Sequence, residues 1–414
     1  MGAARLDRRS RQWIAGAALL GLVLRLGFGL IYWNARPLTR DEREYLSLAR
    51  SLVAGDGYVY DREVMDGPVE PFGRAPGYSV FPALSGGGRE VVTEVPASVK
   101  IVQSFIGAFG VLVVGGLAFR MAGATAARAA ALLAACYPPL VWIAAYALSE
   151  ALFWPLGLLL AWAFDRAIGA RVRPMAGAFG VGAFAGLVVL IRAAAMVSLP
   201  IAGVWLLFQR RLVTGLAMAA GLALVLLPWA LRNYEHHGRF VLVASDGGVT
   251  FWTGNHPQQP GDGDMAANPW LKEDNLALRA RHPGLTEEQM EPIYYREALT
   301  WIRTHPVDWI KLEARKAFYL VVPIGSSYRL HSPLYFWASV LSYGLLLPVA
   351  ITGFIRLGSW RRRTPGLWLM AASAVGVCLV FFPQERFRIP SIDPTLVLCA
   401  GAAFLRRTEA EAVA

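Results

Sequence analysis

Long apolar runs punctuated by short clusters of arginine extend through most of the chain. In order they fall at 13–33, 98–119, 124–143, 149–165, 175–192, 195–208, 212–231, 333–355, 366–382 and 389–405. Most approach the ~20 residues a helix needs to cross a ~30 Å hydrocarbon core. The pattern predicts an all-α polytopic membrane protein with roughly ten transmembrane helices. Pro138-Pro139 interrupts the stretch 124–165 and predicts a tight hairpin there. The first run follows an arginine-rich start, as a secretory signal would. It is too long for a signal core and lacks a small-residue cleavage site, so it reads as an uncleaved first span.

The arginines supply an orientation. Arg5, Arg8, Arg9 and Arg11, then Arg120 and Arg128, then Arg166, Arg171 and Arg173 fall on one side if the spans alternate. Arg210 and Arg211, Arg361 to Arg363, and Arg406 and Arg407 continue the series, provided 232–332 does not cross. That side is expected to be cytoplasmic, with both termini on it, in a bacterial inner membrane. Three regions follow: an N-terminal membrane module, 1–231, with an exoplasmic loop at 34–97; a second exoplasmic loop, 232–332; and C-terminal spans in 333–414. Interfacial helices are expected in both loops. In the first, Thr39 and Glu42 form a capping-box pattern, so a helix should begin near Asp41, bury Tyr45, Leu48, Ala49 and Leu52, and stop at Gly55. In the second, 286–304 reads as a helix and 306–322 as an amphipathic segment lying in the interface.

Composition supports the membrane reading. Of 414 residues, 56% are hydrophobic and only 17% charged, where a soluble chain carries about a quarter. Mean hydropathy is +0.43. The formal charge of +11 does not indicate nucleic-acid binding, because the basic residues mark span ends rather than pooling in one patch. Cys136, Cys378 and Cys399 lie within apolar blocks, without metal-ligand spacing or a disulfide framework. All six histidines lie in 232–332 without ligand spacing, so no metal site is expected.

Chemistry concentrates on the side away from the arginine clusters. Asp41 and Glu42 stand at a helix N-terminus, which favours ionised carboxylates. Asp41 could accept a hydrogen bond from a hydroxyl, or both acids could simply cap and solubilise the helix. Arg74, in Arg74-Ala75-Pro76-Gly77-Tyr78, could hold a phosphate or pair with lipid headgroups. Glu150, beside Ser149, could face a polar cavity or cap its span. Arg192 ends another span on that side, where snorkelling alone would also explain it. Arg386 and Arg388 occupy a short exoplasmic turn, against the charge bias of the rest of the chain. Carboxylates and guanidiniums together are an inventory for displacing a phosphate leaving group with a hydroxyl.

This ordered set resembles the GT-C superfamily of membrane glycosyltransferases, in the branch of protein O-mannosyltransferases and the lipid A aminoarabinose transferase. Asp41-Glu42 with Tyr45 is similar to their acid-acid-x-x-Tyr signature. The segment from Arg74 to Tyr78 resembles a second loop motif, Ser149-Glu150 a further acid, and Arg386-Phe387-Arg388-Ile389-Pro390 a late arginine element. One proline stands where the family commonly has two, and the large soluble C-terminal domain of many members is not expected here. The resemblance implies inverting transfer of a sugar from a polyprenyl phosphate to an acceptor glycan, lipid or protein, with no cofactor beyond the lipid-linked donor. It implies Asp41, with Glu42, as base or charge stabiliser, and Arg74, Arg386 and Arg388 as phosphate ligands. Glu150 is expected to hold Arg74 or the sugar hydroxyls, with Tyr45, Tyr78 and Arg192 completing the substrate site. A flippase of lipid-linked sugars and a polysaccharide ligase remain open alternatives.

Overall fold

In the first loop of the chain, Thr39 caps a helix as its spacing with Glu42 predicts, and this local choice positions much of the site. The computed structural model describes residues 6–60, 73–88, 93–169, 174–238, 240–326 and 332–406. Parts of the first loop, and Arg5, Arg171, Arg173, His331 and Arg407, lie outside the described residues. The described residues form helices, turns and loops, without a strand.

The first span is α1 (Arg8–Gly27), extended by a wide turn at Phe28–Tyr32. Two short helices lie in the first loop, α2 (Arg40–Ala54) and α3 (Pro76–Leu84). The chain returns through α4 (Ala97–Cys136), broken at Gly123, whose φ of 85° lets the backbone turn between two helical arms. After α5 (Pro138–Trp142) come α6 (Glu150–Gly169), α7 (Pro174–Ile191), α8 (Ser198–Phe208) and α9 (Leu212–His237). The second loop carries α10 (Gly247–Gly254), α11 (Pro269–Ala280), α12 (Glu287–Thr304) and α13 (Pro306–Val321). The last helices are α14 (Pro333–Leu357), α15 (Pro365–Val380), the four-residue α16 (Glu385–Arg388) and α17 (Ile392–Ala402). Among the described residues six helices are long and apolar enough to cross a membrane, and three further apolar helical segments are shorter.

The expected tight hairpin at Pro138-Pro139 is not formed. The prolines start the short α5, a 3-10 turn follows at 143–145, and α6 begins only at Glu150. The intervening segment is buried and fixed by side chains: Gln103 of α4 donates to the Ala144 and Tyr146 carbonyls at 3.0 and 2.9 Å. Such bonds satisfy backbone groups that neither helix nor water reaches at this depth.

Helices pack here through small residues. Gly110 leaves room for the Trp154 ring, which a Cβ would meet at 2.1 Å. Arg25, the mid-depth exception in the first run, is buried and donates to the carbonyls of Gly21 and Ala134. It thereby serves the carbonyl end of the second α4 arm. The outward faces of α1, α9 and α14 show the reverse pattern, with Leu19, Val23, Leu216, Leu224, Leu341 and Leu345 exposed. Hydrocarbon makes that exposure favourable.

Candidate active site

The N-terminus of α2 is the centre of a charged cluster. Thr39 Oγ1 accepts from the Glu42 amide at 3.4 Å, and the Glu42 carboxylate accepts from the Thr39 amide and hydroxyl, both at 2.8 Å. Glu42 also accepts from the Ala147 amide at 3.0 Å, tying α2 to the buried segment before α6. The other carboxylate, that of Asp41, is left free of the cap. Asp41 is held by two guanidiniums, its Oδ1 accepting from Arg74 and its Oδ2 from Arg386.

Each arginine arrives from a different element. Arg74 stands two residues before α3, whose Gly77 lies so close to the end of α7 that a Cβ would meet the Leu190 and Ile191 backbone at 2.8 Å. Tyr58 donates to the Ala75 carbonyl at 3.0 Å and fixes the approach. Arg74 also pairs with Glu44 at 2.6 Å and with Asp246, at the start of α10, at 3.5 Å. Arg386 stands on α16, with its Nε donating to Gln384 at 2.8 Å and its far nitrogen 3.7 Å from Asp264.

The loop before α16 is pinned from the second exoplasmic region. Lys316 of α13, fully buried, donates to the Leu379 carbonyl at 2.8 Å, while Asn255 donates to the Val380 carbonyl at 2.9 Å. These bonds cap the final turn of α15. Gly254 packs against the Phe381 carbonyl, which a Cβ would reach at 1.9 Å. The Gly254-Asn255 pair thus anchors the segment that delivers Arg386.

Electrostatics separates the two adjacent acids. Burial pushes Asp41 up, but the guanidiniums of Arg386 and Arg74 overcome it and hold the carboxylate well below its usual range. Burial pushes Glu42 up, and its hydrogen bonds from Thr39 and Ala147 only partly offset this. Arg74 is disfavoured as a cation by burial, yet Asp41 and Glu44 keep it firmly charged.

Beyond Arg386 the polar network continues towards α6 and α7. Arg192 pairs with Glu150 at 2.8 Å and donates to Ser149 at 3.1 Å, and the Ser149 hydroxyl donates to Glu150 at 3.2 Å. Arg192 and Arg386 each lie against the Phe387 ring, 5.4 and 5.3 Å from its centre. Tyr45 packs edge-on to Tyr78 at 4.7 Å, and Arg74 covers the Tyr45 ring. Tyr78 itself is fully buried and donates to Gln103 at 2.7 Å.

Arg192 also marks one end of an apolar cavity of about 420 Å³ between α6, α7, α8, α9 and α15. Its walls run from Phe153 to Phe164 along α6, about 16 Å at the helical rise. Phe387 and Ser391 line the same end as Arg192. An apolar trough therefore ends against a guanidinium of the charged cluster.

The structure gathers Asp41, Tyr45, Arg74, Glu150, Arg192 and Arg386 into one connected group. Three expectations change. Glu150 pairs with Arg192 rather than holding Arg74. Arg388 points into the protein, where it pairs with Asp393 at 3.2 Å and lies 3.8 Å from the centre of the Tyr343 ring. On a single helical turn, residues two apart project about 200° from each other, so Arg386 and Arg388 cannot face the same way. Glu42, expected beside Asp41 in the chemistry, is committed to the cap and to Ala147. Glu44, Asp246, Asp264 and Gln384 were not anticipated. Glu44 was within reach, being three residues from Asp41 on one helical face.

The sequence matches none of the protein-family models and none of the curated proteins it was compared with. Solved structures do match. The archaeal oligosaccharyltransferase AglB from Archaeoglobus fulgidus, in complex with an inhibitory peptide and a dolichol-phosphate, aligns at a TM-score of 0.56 and 15% identity. The alignment covers 95% of this chain and 50% of that one. The apo form of that enzyme gives 0.57 at 15% identity, with the same coverage. ArnT from Cupriavidus metallidurans, bound to undecaprenyl phosphate, gives 0.43 at 14% identity, covering 94% of this chain and 76% of that one. The chain has the GT-C fold. It spans about half the length of the oligosaccharyltransferase chains it matches. Within the GT-C fold of this chain, the charged cluster is assembled from both loops and from the turn between α15 and α17.

Proposed function

We propose that the protein is an inverting glycosyltransferase, moving a sugar from a polyprenyl-phosphate donor to an acceptor hydroxyl at the exoplasmic membrane surface. The observation that carries this reading is Asp41 held between Arg74 and Arg386, beside an apolar trough that ends at Arg192. The trough suits an isoprenoid chain, and the guanidiniums suit the phosphate at its head. Likeness to a structure holding a dolichol-phosphate supports the same donor class.

The reaction is a single displacement. The acceptor oxygen forms a bond to the anomeric carbon from the side opposite the phosphate. The carbon–oxygen bond to phosphate breaks, and the phosphate leaves with the electron pair. The acceptor proton passes to Asp41 and then to water. Because Asp41 is a weak base, its larger contribution is to stabilise positive charge developing on the sugar ring. Arg74 and Arg386 exchange Asp41 for the phosphate as its charge grows, and Arg192 holds the mouth of the trough. Preorganised donors of this kind are worth about 3 kcal/mol each in a water-excluded site. Glu42 acts by position, fixing the start of α2 against Ala147.

The same reading assigns ten membrane crossings, in the three regions anticipated from sequence, with both termini on the arginine-rich, cytoplasmic side of a bacterial inner membrane. The test is turnover of radiolabelled polyprenyl-phosphate sugars by the protein in nanodiscs, supplied with envelope extract as acceptor source. Transfer by wild type that disappears in Asp41→Asn and Arg386→Ala supports the assignment. Binding of the lipid-linked sugar with no cleavage by wild type, whatever the extract, would overturn it.

A further inference from the structure

At the arginine-rich end of the helices, remote in the fold from Asp41, a second cavity of about 350 Å³ lies between α1, α4 and the end of α17. Its lining includes Arg9, Trp13, Thr125, Arg128, Leu132 and Phe404. Helical geometry explains how these residues meet. Arg9 and Trp13 are one turn apart on α1, and Thr125, Arg128 and Leu132 share a face of the second α4 arm. Arg128 is steered by its bond to the Thr125 hydroxyl at 3.1 Å. Among the described residues, no carboxylate lies within ion-pair distance of Arg9 or Arg128. Asp7 feels the charge of both, and its carboxylate is engaged with the Ser10 amide at 3.0 Å.

The rim is apolar and open. Trp13 is 52% exposed, Phe404 53% and Leu132 40%. The exposed Arg9 and half-buried Arg128 in a notch with aromatic and aliphatic walls match a phosphate joined to hydrocarbon chains. From the notch, the exposed Leu19, Leu20 and Val23 continue along α1 into the hydrocarbon region. We propose that this notch binds one anionic phospholipid of the adjacent leaflet, with its phosphate between Arg9 and Arg128 and its chains against Trp13, Leu132 and the outer face of α1. Net positive charge in the notch favours a lipid without an ammonium group, such as phosphatidylglycerol, over phosphatidylcholine. The bound lipid bridges α1, α4 and α17, and the site is independent of the proposed transfer reaction.

The experiment is native mass spectrometry of the full chain, released from nanodiscs containing equal phosphatidylglycerol and phosphatidylcholine. Wild type should retain phosphatidylglycerol preferentially, and a variant carrying Arg9→Gln and Arg128→Gln should retain roughly tenfold less. A variant carrying Arg8→Gln and Arg11→Gln removes the same charge from exposed positions outside the cavity and should match wild type. Arg9→Lys with Arg128→Lys guards against misfolding, since it keeps the charge and should retain an intermediate amount. Equal retention of the two lipids by wild type overturns the proposal. So does a loss in the Arg8 and Arg11 variant as large as in the Arg9 and Arg128 variant.

Discussion

On the proposed mechanism Asp41 and a substrate phosphate compete for the same two guanidiniums, so neutralising Asp41 should separate binding from turnover. In the ligand-free site Asp41→Asn removes one charge from a cluster whose arginines keep other partners. Arg74 retains Glu44 at 2.6 Å and Asp246 at 3.5 Å, and Arg386 retains Gln384 at 2.8 Å and Asp264 at 3.7 Å. The cost to stability should therefore be about 2 kcal/mol, below the ~3–5 kcal/mol of a buried charge left with no partner. A phosphate arriving at the variant no longer displaces an anion. Polyprenyl phosphate should bind about tenfold more tightly, a gain of about 1.4 kcal/mol. Turnover should fall roughly 100- to 10,000-fold, the range for loss of a positioned base and charge stabiliser. Raising the pH should not restore it, because no ionisable group remains at the position. Tritiated polyprenyl phosphate binding and sugar transfer, both measured in nanodiscs, give the two quantities. Weaker lipid binding than wild type, or turnover within about tenfold of it, would refute the competition argument.

Other substitutions distinguish residues that touch substrate from those that hold the frame. Arg388→Ala should destabilise the protein by about 3 kcal/mol, by stranding Asp393 in the interior. The protein that remains folded should bind polyprenyl phosphate as wild type does, a comparison that thermal unfolding and lipid binding make together. Glu42→Gln keeps one acceptor oxygen, enough for the Thr39 bonds but not also for the Ala147 amide, and should lose less than about tenfold in turnover. Glu42→Ala should cost about 1–2 kcal/mol in thermal stability through loss of the cap. Glu385 is pushed up to about 7 by burial, against the pull of the Arg388 charge. The folded chain thus binds more protons than the unfolded one between its ordinary carboxylate range and pH 7. Stability should decline as pH rises through that window, by on the order of 3 kcal/mol in all, and level off above it. Denaturant midpoints for wild type and Glu385→Gln check this, the variant losing most of that slope.

Much of the frame was legible because it is written locally. The apolar blocks follow from hydrocarbon thickness, and α2, α12 and α13 appeared within two residues of their observed starts. What stayed hidden depends on contacts distant in the chain. Asp246 and Asp264 carry no local mark among the acids of 232–332, yet the fold brings them to Arg74 and Arg386. The partner of Glu150 lies 42 residues away at Arg192, so no short motif records it. The Pro138-Pro139 hairpin failed for a related reason. Proline fixes where a helix starts, but the path of the buried segment is set by Gln103 and Glu42 from elsewhere.

The division of labour between Asp41 and Glu42 was, by contrast, already present in the four residues Thr39 to Glu42. In a capping box the acid three residues after the cap turns back to the cap amide, so Thr39 commits Glu42 to the backbone. Its neighbour projects about 100° away around the helix and cannot share that task. Asp41 is then the acid free to leave the helix surface, and the N-terminal dipole favours its charged form. Reading the two as a catalytic pair overlooked this constraint. On the proposed mechanism Glu42 is the frame residue and Asp41 the reactive one, and the position of Thr39 decides which is which.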